Sequence, residues 1–250
     1  MQNKLYNGFM FYDEFDMLDI RLNELWNTVD YFVLVECPTT HRNIPKPLFF
    51  EQNKAKYAPF MSKIRHIIHD LPLSSVPFEN ENEHRRGILK GLDGIKSNDY
   101  LIITDADEIP RATSIRAYTR DCARLSMDFF YYFYNFKTKG KWSLANMLRY
   151  GAIDKDLNYY RTGQYKCDVI ANAGWHFSKM YSLEEIKYKF QHALADELHY
   201  KEIIDNLEAW RQAGETHWCN HDVKFERCEI DASYPLYFRQ NIIRFKDFLG

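Results

Sequence analysis

Asp105, Asp107 and Glu108 stand together in Leu101-Ile102-Ile103-Thr104-Asp105-Ala106-Asp107-Glu108-Ile109-Pro110, where an apolar run ends in three carboxylates. In an extended segment, residues two apart project to the same side. Asp105 and Asp107 can therefore face one cation or its water shell. Hard divalent cations take oxygen ligands of this kind. Such a burst of charge would be costly in a core unless paired or metal-bound. Short motifs also arise by chance. Asp154-Lys155-Asp156 repeats the spacing, but it follows no apolar run and its lysine offers a partner, so it reads as a solvated loop.

Ala173-Gly174-Trp175-His176-Phe177-Ser178 is the next stretch with chemistry in it. Glycine lets backbone approach a ligand closely, Trp175 offers a flat face, and His176 can ligate a metal or bond a phosphate. A buried aromatic pair beside a satisfied histidine accounts for the same residues equally well. Glu81-Asn82-Glu83-His84-Arg85-Arg86 opens a helix, and helix N-termini favour anions. Arg85 or Arg86 could fork onto a diphosphate, yet these residues alone read as a solvated helix face. His217, Cys219, His221 and Cys228 could hold zinc, but their spacing matches no standard set, and a chance grouping is the preferred reading.

The elements that must position these residues follow from periodicity. Leu5 to Tyr12, Tyr31 to Val35, Ile64 to Ile68 and Tyr100 to Ile103 read as strands. A helix from Asp16 places Leu18, Leu22, Leu25, Trp26 and Val29 on one face. Glu79 to Ile95 reads as a second helix. Alternating strand and helix implies a mostly parallel sheet covered on both sides. In such sheets ligands bind beyond the carboxyl ends of the strands, where Asp105 lies. The second half is less regular. Phe129 to Phe136 and Val169 to His176 read as strands, and Lys137 to Arg161 has no clear period. Ser182 and Glu185 form a capping box opening a helix with Leu183, Ile186, Phe190, Ala193 and Leu194 on one face. Tyr200 to Ala213 is a further helix, ended by Gly214. The tail from Tyr234 is expected to pack on the domain.

Composition bounds the function. A length of 250 residues, with 46% hydrophobic and 27% charged, suits one globular domain. A net charge of −2 with no basic run argues against non-specific nucleic-acid binding. Five scattered cysteines without a C-x-x-C pair suit a reduced, cytoplasmic protein. Nothing approaches the roughly 18 apolar residues of a membrane span. Aromatic residues reach 16%, which serves cores and sugar stacking alike.

These blocks together resemble glycosyltransferase family 17. The likeness begins at Asp13-Glu14-Phe15-Asp16-Met17-Leu18-Asp19-Ile20-Arg21-Leu22-Asn23-Glu24-Leu25. It continues through Val29 to Val33, Glu36, and Pro45 to Phe49. It is sharpest at Asp105 to Pro110 and Ala173 to His176. The order and spacing are more specific than any one block.

The resemblance implies a GT-A-like, Rossmann-type α/β domain over residues 1–250. Residues 1–110 would bind the nucleotide sugar and residues 111–250 would form the acceptor side. It implies inverting transfer from a UDP-sugar, by family default N-acetylglucosamine, to a glycan hydroxyl, with Mn²⁺ or Mg²⁺. The metal residues it implies are Asp105, Asp107 and His176. Glu14, Glu36, Asn82, Arg85, Asp105 and Trp175 are the expected donor contacts. Glu197, and after it Glu108, are the expected catalytic bases. Where relatives show His-x-Glu, this chain has Ala195-Asp196-Glu197, which leaves the acceptor open. Two rivals remain: a non-catalytic sugar- or nucleotide-binding protein, and a metal-dependent phosphatase. The phosphatase motif usually follows the first strand and continues with Thr or Val, unlike Glu108-Ile109-Pro110.

Overall fold

The computed structural model describes residues 3–192, 200–216 and 223–250. The chain opens on β1 (Leu5–Met10), α1 (Phe15–Leu25), β2 (Tyr31–Glu36), α2 (Phe49–Asn53), β3 (Ile64–Ile68), α3 (Pro77–Arg86) and β4 (Tyr100–Thr104). β1 lies between β2 and β4, β3 lies outside β2, and all three pairings are parallel. Side chains alternate across the strands. Phe9, Phe32, Leu34 and Ile102 enter one core with Leu18 and Leu22 of α1. Tyr6, Val33, Val35, Leu101 and Ile103 enter a second core with Ile88 and Leu92. Burial on both faces is why these strands read as continuous apolar runs.

The strands continue with β5 (Glu108–Pro110), β6 (Cys122–Leu125), β7 (Met127–Tyr131), β8 (Phe136–Trp142), β9 (Asn146–Arg149), β10 (Asp168–Ile170) and β11 (Gly174–Ser178). The short strands β12 (Glu215–Thr216) and β13 (Val223–Lys224) pair with each other, and β14 (Glu226–Arg227) follows. The first sheet runs β10-β6-β9-β4-β1-β2-β3, and a second runs β14-β8-β7-β11-β5. β9 is antiparallel to β4 and β6. In the second sheet only β7 and β11 are parallel. The sheets are thus mixed, and the expected parallel pattern is concentrated in the first hundred residues.

Other expectations shift locally. Helix α3 stops at Arg86 and a tighter 3₁₀ turn, Gly87–Gly91, replaces its continuation. The single strand read over Phe129 to Phe136 is two, because the chain reverses at Tyr132, whose φ is 66°. Val169 to His176 also divides. β10 belongs to the first sheet and β11 to the second, with Asn172 at φ 50° between them. Asparagine tolerates that left-handed conformation better than most residues. The irregular stretch after Lys137 holds β9 and a short helix, α5, after α4 (Ala112–Arg116). Asp156 caps α5 (Leu157–Tyr160) by accepting from the Asn158 amide, as a loop-and-cap residue would.

Ser182 and Glu185 form the expected capping box of α6 (Leu183–His192), with the Glu185 amide 3.2 Å from the Ser182 hydroxyl. α7 (Tyr200–Ala213) follows the undescribed stretch 193–199. The tail packs through α8 (Leu236–Gln240), where Phe238 and Phe245 join Trp175 and Phe177 in one cluster. Among the described residues no helix is long and apolar enough to cross a membrane.

The turn Asp105–Asp107 therefore joins the two sheets, since β4 ends in the first and β5 starts in the second. β11 runs antiparallel beside β5 with His176 opposite Glu108. Gly174 makes that crossing possible: its φ is 153°, and a Cβ there would lie 2.1 Å from the Ile109 carbonyl oxygen.

Candidate functional site

A cleft of about 530 Å³ opens over this joint. Its walls come from the end of β1, from the segments that follow β2 and β4, from β7 and β11, and from α6. Asp105 and Asp107 line it, as do His176, His41 and Lys189.

Asp107 turns towards β11. Its Oδ2 lies 3.3 Å from His176 Nε2, and its backbone oxygen accepts from Phe177 N at 2.9 Å. His176 stacks on Phe129 at 4.8 Å between ring centres. Its Nδ1 is buried without a hydrogen-bond partner among the described residues. The imidazole is thus fixed by packing, and its polar contact is with Asp107.

Asp105 turns the other way. Oδ2 is 2.5 Å from Arg161 Nη2, and Oδ1 is 3.4 Å from Arg85 Nη2. Burial raises its pKa, but Arg161, Arg85 and His176 outweigh that and bring the carboxyl down to about 2. An unfolded aspartate titrates near 3.8. The folded value lies below that, so Asp105 contributes stability above about pH 4, and the contribution is lost as pH falls through about 2. Urea unfolding of wild type and Asp105→Asn across pH 6 to 2 checks this: their stability gap should stay constant above about pH 5 and shrink below about pH 4.

Two arginines absent from the sequence-based set shape this turn. Arg161 follows α5 and forks onto Glu108 at 2.6 and 2.8 Å while also holding Asp105. Arg21, fully buried on α1, donates to the carbonyls of Asp105, Ala106 and Glu108 at 2.7, 3.0 and 2.8 Å. Its other amino group reaches Asn7 and Thr104 at 2.6 and 2.9 Å. Burial lowers the Arg21 pKa to about 10, against the upward pull of Glu108, Asp107 and Asp105, so it stays charged at neutral pH. A buried cation in the middle of an apolar helix face was the only sign in the sequence. Arg161 left none.

The remaining expected residues fall apart into different places. Glu108 is fully buried. It accepts from Arg161, from the Trp142 indole N–H and from the Asp105 amide at 2.7 Å, so it anchors the turn and does not line the cleft. Glu36 is also fully buried. It caps α2 by accepting from the Phe50 and Glu51 amides at 2.9 and 3.3 Å and faces His66 at 3.2 Å, away from the cleft. Arg85 sits behind Asp105, tied also to Glu81 and Asn158 at 2.8 and 2.6 Å. Asn82 gives its backbone oxygen to Asn158 and does not line the cleft.

Trp175 is on the opposite face of β11 from His176, 1% exposed, with its N–H on the Ser233 carbonyl and Arg111 over its ring. Neighbours on a strand point to opposite faces, so Trp175 cannot serve the cleft together with His176. Trp175→Ala should cost about 3–5 kcal/mol in denaturant unfolding, while Trp175→Phe should leave ligand binding in the cleft within about twofold of wild type.

Glu14 does line the cleft. Its carboxylate accepts from the Tyr12 and Asp13 amides at 2.8 and 3.2 Å, and lies 3.3 Å from Lys189, which also binds Asp13 at 2.5 Å. Glu197 lies outside the described residues, as do His217, Cys219 and His221 of the zinc grouping. Among the described residues, no three or more His, Cys, Asp or Glu side chains are arranged to hold a metal ion. Asp107 and His176 are the pair that come together, and Asp105 stands apart, held by arginines.

No curated protein matches the chain. The model of glycosyltransferase family 17 matches residues 1–212, a span that contains the joint between the sheets, both arginines and His176. The chain belongs to glycosyltransferase family 17.

Proposed function

We propose that this glycosyltransferase works on a GT-A-like framework and moves a sugar from a UDP-sugar to a glycan hydroxyl with inversion. N-acetylglucosamine is the sugar the family resemblance implies, and Mn²⁺ or Mg²⁺ the ion. The observation that supports the reading best is the pairing of Asp107 and His176 on the cleft wall, 3.3 Å apart, beyond the ends of parallel strands. One carboxylate oxygen and one imidazole nitrogen suit a borderline divalent ion, and Mn²⁺ more than Mg²⁺, which prefers an all-oxygen shell. Held by Asp107 and His176, such an ion would supply positive charge against the charge developing on a departing diphosphate.

The protein's own residues supply the rest. Asp105, ionised and fixed by Arg161 and Arg85, keeps free lone pairs to accept from donor hydroxyls. Arg21 and Phe177 N hold the turn so that Asp107 does not have to reorganise. In transfer, the acceptor oxygen bonds to the anomeric carbon, the bond to the diphosphate breaks, and a carboxylate takes the hydroxyl proton. Glu108 has its oxygens engaged in the core. Glu197 is the proposed base, and the resemblance supports it. A cytoplasmic location belongs to the same reading and rests on the scattered cysteines.

Calorimetric titration of UDP and UDP-N-acetylglucosamine, with and without Mn²⁺, tests the proposal. Binding should require the ion, and transfer to a glycan acceptor should release UDP. Metal-independent binding, or none, would overturn it. Binding without transfer to any acceptor in a broad glycan panel would leave a binding protein. Glu197→Gln should keep donor binding and lose turnover; unchanged turnover removes Glu197 as the base.

A further inference from the structure

The segment after β2 folds into a tight loop on the cleft wall. Thr40 ties it together: its hydroxyl accepts from the Arg42 and Ile44 amides, both at 3.2 Å. Asn80 of α3 donates to the His41 carbonyl at 2.8 Å. The His41 ring is placed edge-on to His84, ring centres 5.4 Å apart. Thr39, His41, Lys46 and His84 all line the cleft.

The protons on the two rings can be assigned from their partners. His84 Nε2 lies 2.9 Å from the Val35 carbonyl. A carbonyl only accepts, so His84 Nε2 carries the hydrogen. His84 is held neutral, since burial first, then His41, pushes its pKa well down. A neutral imidazole has one N–H, which leaves His84 Nδ1 a bare lone pair. That lone pair faces His41 Nε2 at 3.2 Å. His41 Nε2 must then be the donor. His41 is neutral as well, its pKa lowered chiefly by burial. The consequence is that His41 Nδ1 is an acceptor, and it makes no hydrogen bond to any described residue. A chain from the Val35 carbonyl through His84 sets the polarity of the atom at its far end.

Two further groups on the same loop lack a full set of partners. The Thr39 hydroxyl is buried with no hydrogen-bond partner among the described residues. The Lys46 ammonium lies over the Tyr12 and Phe49 rings at 5.0 and 5.3 Å, and of its three hydrogens one is given to the Pro47 carbonyl at 3.3 Å. The loop therefore offers two donors, Thr39 Oγ1 and Lys46 Nζ, and one obligate acceptor, His41 Nδ1. An imide edge has two carbonyls and one N–H and is the complement of that set. A cytosine edge puts a lone pair where the imide has its N–H. A guanine edge replaces one carbonyl with an amino group.

We propose that the Thr39–Lys46 loop is the nucleobase reader of the cleft, with His41 Nδ1 accepting the imide N–H of a uracil. The inference rests on the nucleotide-sugar reading given above and adds the atoms that choose the base. His84 is a positioning residue: it touches no ligand and acts by fixing the His41 tautomer.

Calorimetric titration of UDP, N3-methyl-UDP and CDP in the presence of Mn²⁺, against wild type and His41→Phe, tests it. Wild type should bind UDP about tenfold more tightly than either analogue, the scale of one hydrogen bond to a half-buried acceptor. His41→Phe should bind UDP about tenfold more weakly and lose the preference. Equal binding of UDP and N3-methyl-UDP by wild type overturns the base reader alone and leaves the nucleotide site standing. A preference that survives in His41→Phe does the same. If UDP does not bind wild type at all, the nucleotide-sugar reading and this inference both fall. Nitrogen NMR of the histidine rings gives a readout that needs no ligand and no variant. Both rings should show hydrogen on Nε2, and hydrogen on His41 Nδ1 would overturn the assignment.

Discussion

Asp107→Ala should abolish sugar transfer, by at least about 10³-fold in kcat/KM, and should remove the proposed metal-dependent UDP binding while the protein stays folded. The size follows from where Asp107 stands. It is one of the two side chains proposed to hold the ion, so losing it halves the protein's share of that proposed site. The fold should survive because the Asp107 side chain is partly exposed and its ion-pair contact is with His176 at 3.3 Å, whereas the turn is held through backbone oxygens and Asp105. Thermal unfolding should show a midpoint within a few degrees of wild type. His176→Ala should mimic the loss of metal dependence but lower stability as well, because that ring stacks on Phe129 and packs at a tilt against Trp142. A fully active Asp107→Ala protein would sink the proposed mechanism.

Arg161→Met is expected to be the most destabilising single change near the cleft, about 3–5 kcal/mol in urea unfolding. The guanidinium is 8% exposed and Glu108 not at all, so Met leaves a carboxylate buried without its cation. Asp105 also loses its nearer arginine. The double change Arg161→Met with Glu108→Gln removes the stranded charge and should recover a substantial part of the loss. The non-additivity of the two singles and the double measures the coupling. Simple addition of the two costs would show that the fork contributes nothing of its own. Activity should fall in Arg161→Met even at temperatures where it is folded, since Asp105 is then held by Arg85 alone, at 3.4 Å.

Much of the N-terminal half was legible in the sequence. Continuous apolar runs marked strands buried on both faces, and Leu18, Leu22 and Leu25 marked the face of α1. The carboxylates after β4 were legible as a strand end facing a cleft. Glu36 shows the limit of that rule. It too ends a strand, but its carboxylate is taken by the amides opening α2, and nothing in the sequence marks a five-residue helix whose own side chains leave its N-terminus uncapped. Trp175 and His176 could have been separated in advance, because adjacent strand residues cannot share a face.

The break at Tyr132 could not be read, since a positive φ in a non-glycine residue is imposed by tertiary packing. Arg161 was hidden for the same kind of reason. Its partners lie 53 and 56 residues away in the chain, and no local pattern encodes so distant a contact.

The seam between the sheets has a thermodynamic consequence. The turn is fastened on three sides: Arg21 on its carbonyls, Phe177 N on the Asp107 oxygen, and Arg161 on its side chains. A free loop of this length would surrender about 1–2 kcal/mol of backbone entropy per residue on docking a ligand. Here that ordering is complete before any ligand arrives, having been met when the two sheets came together during folding. Affinity gained at the seam can therefore go to discrimination among ligands, with little of it consumed in ordering the chain.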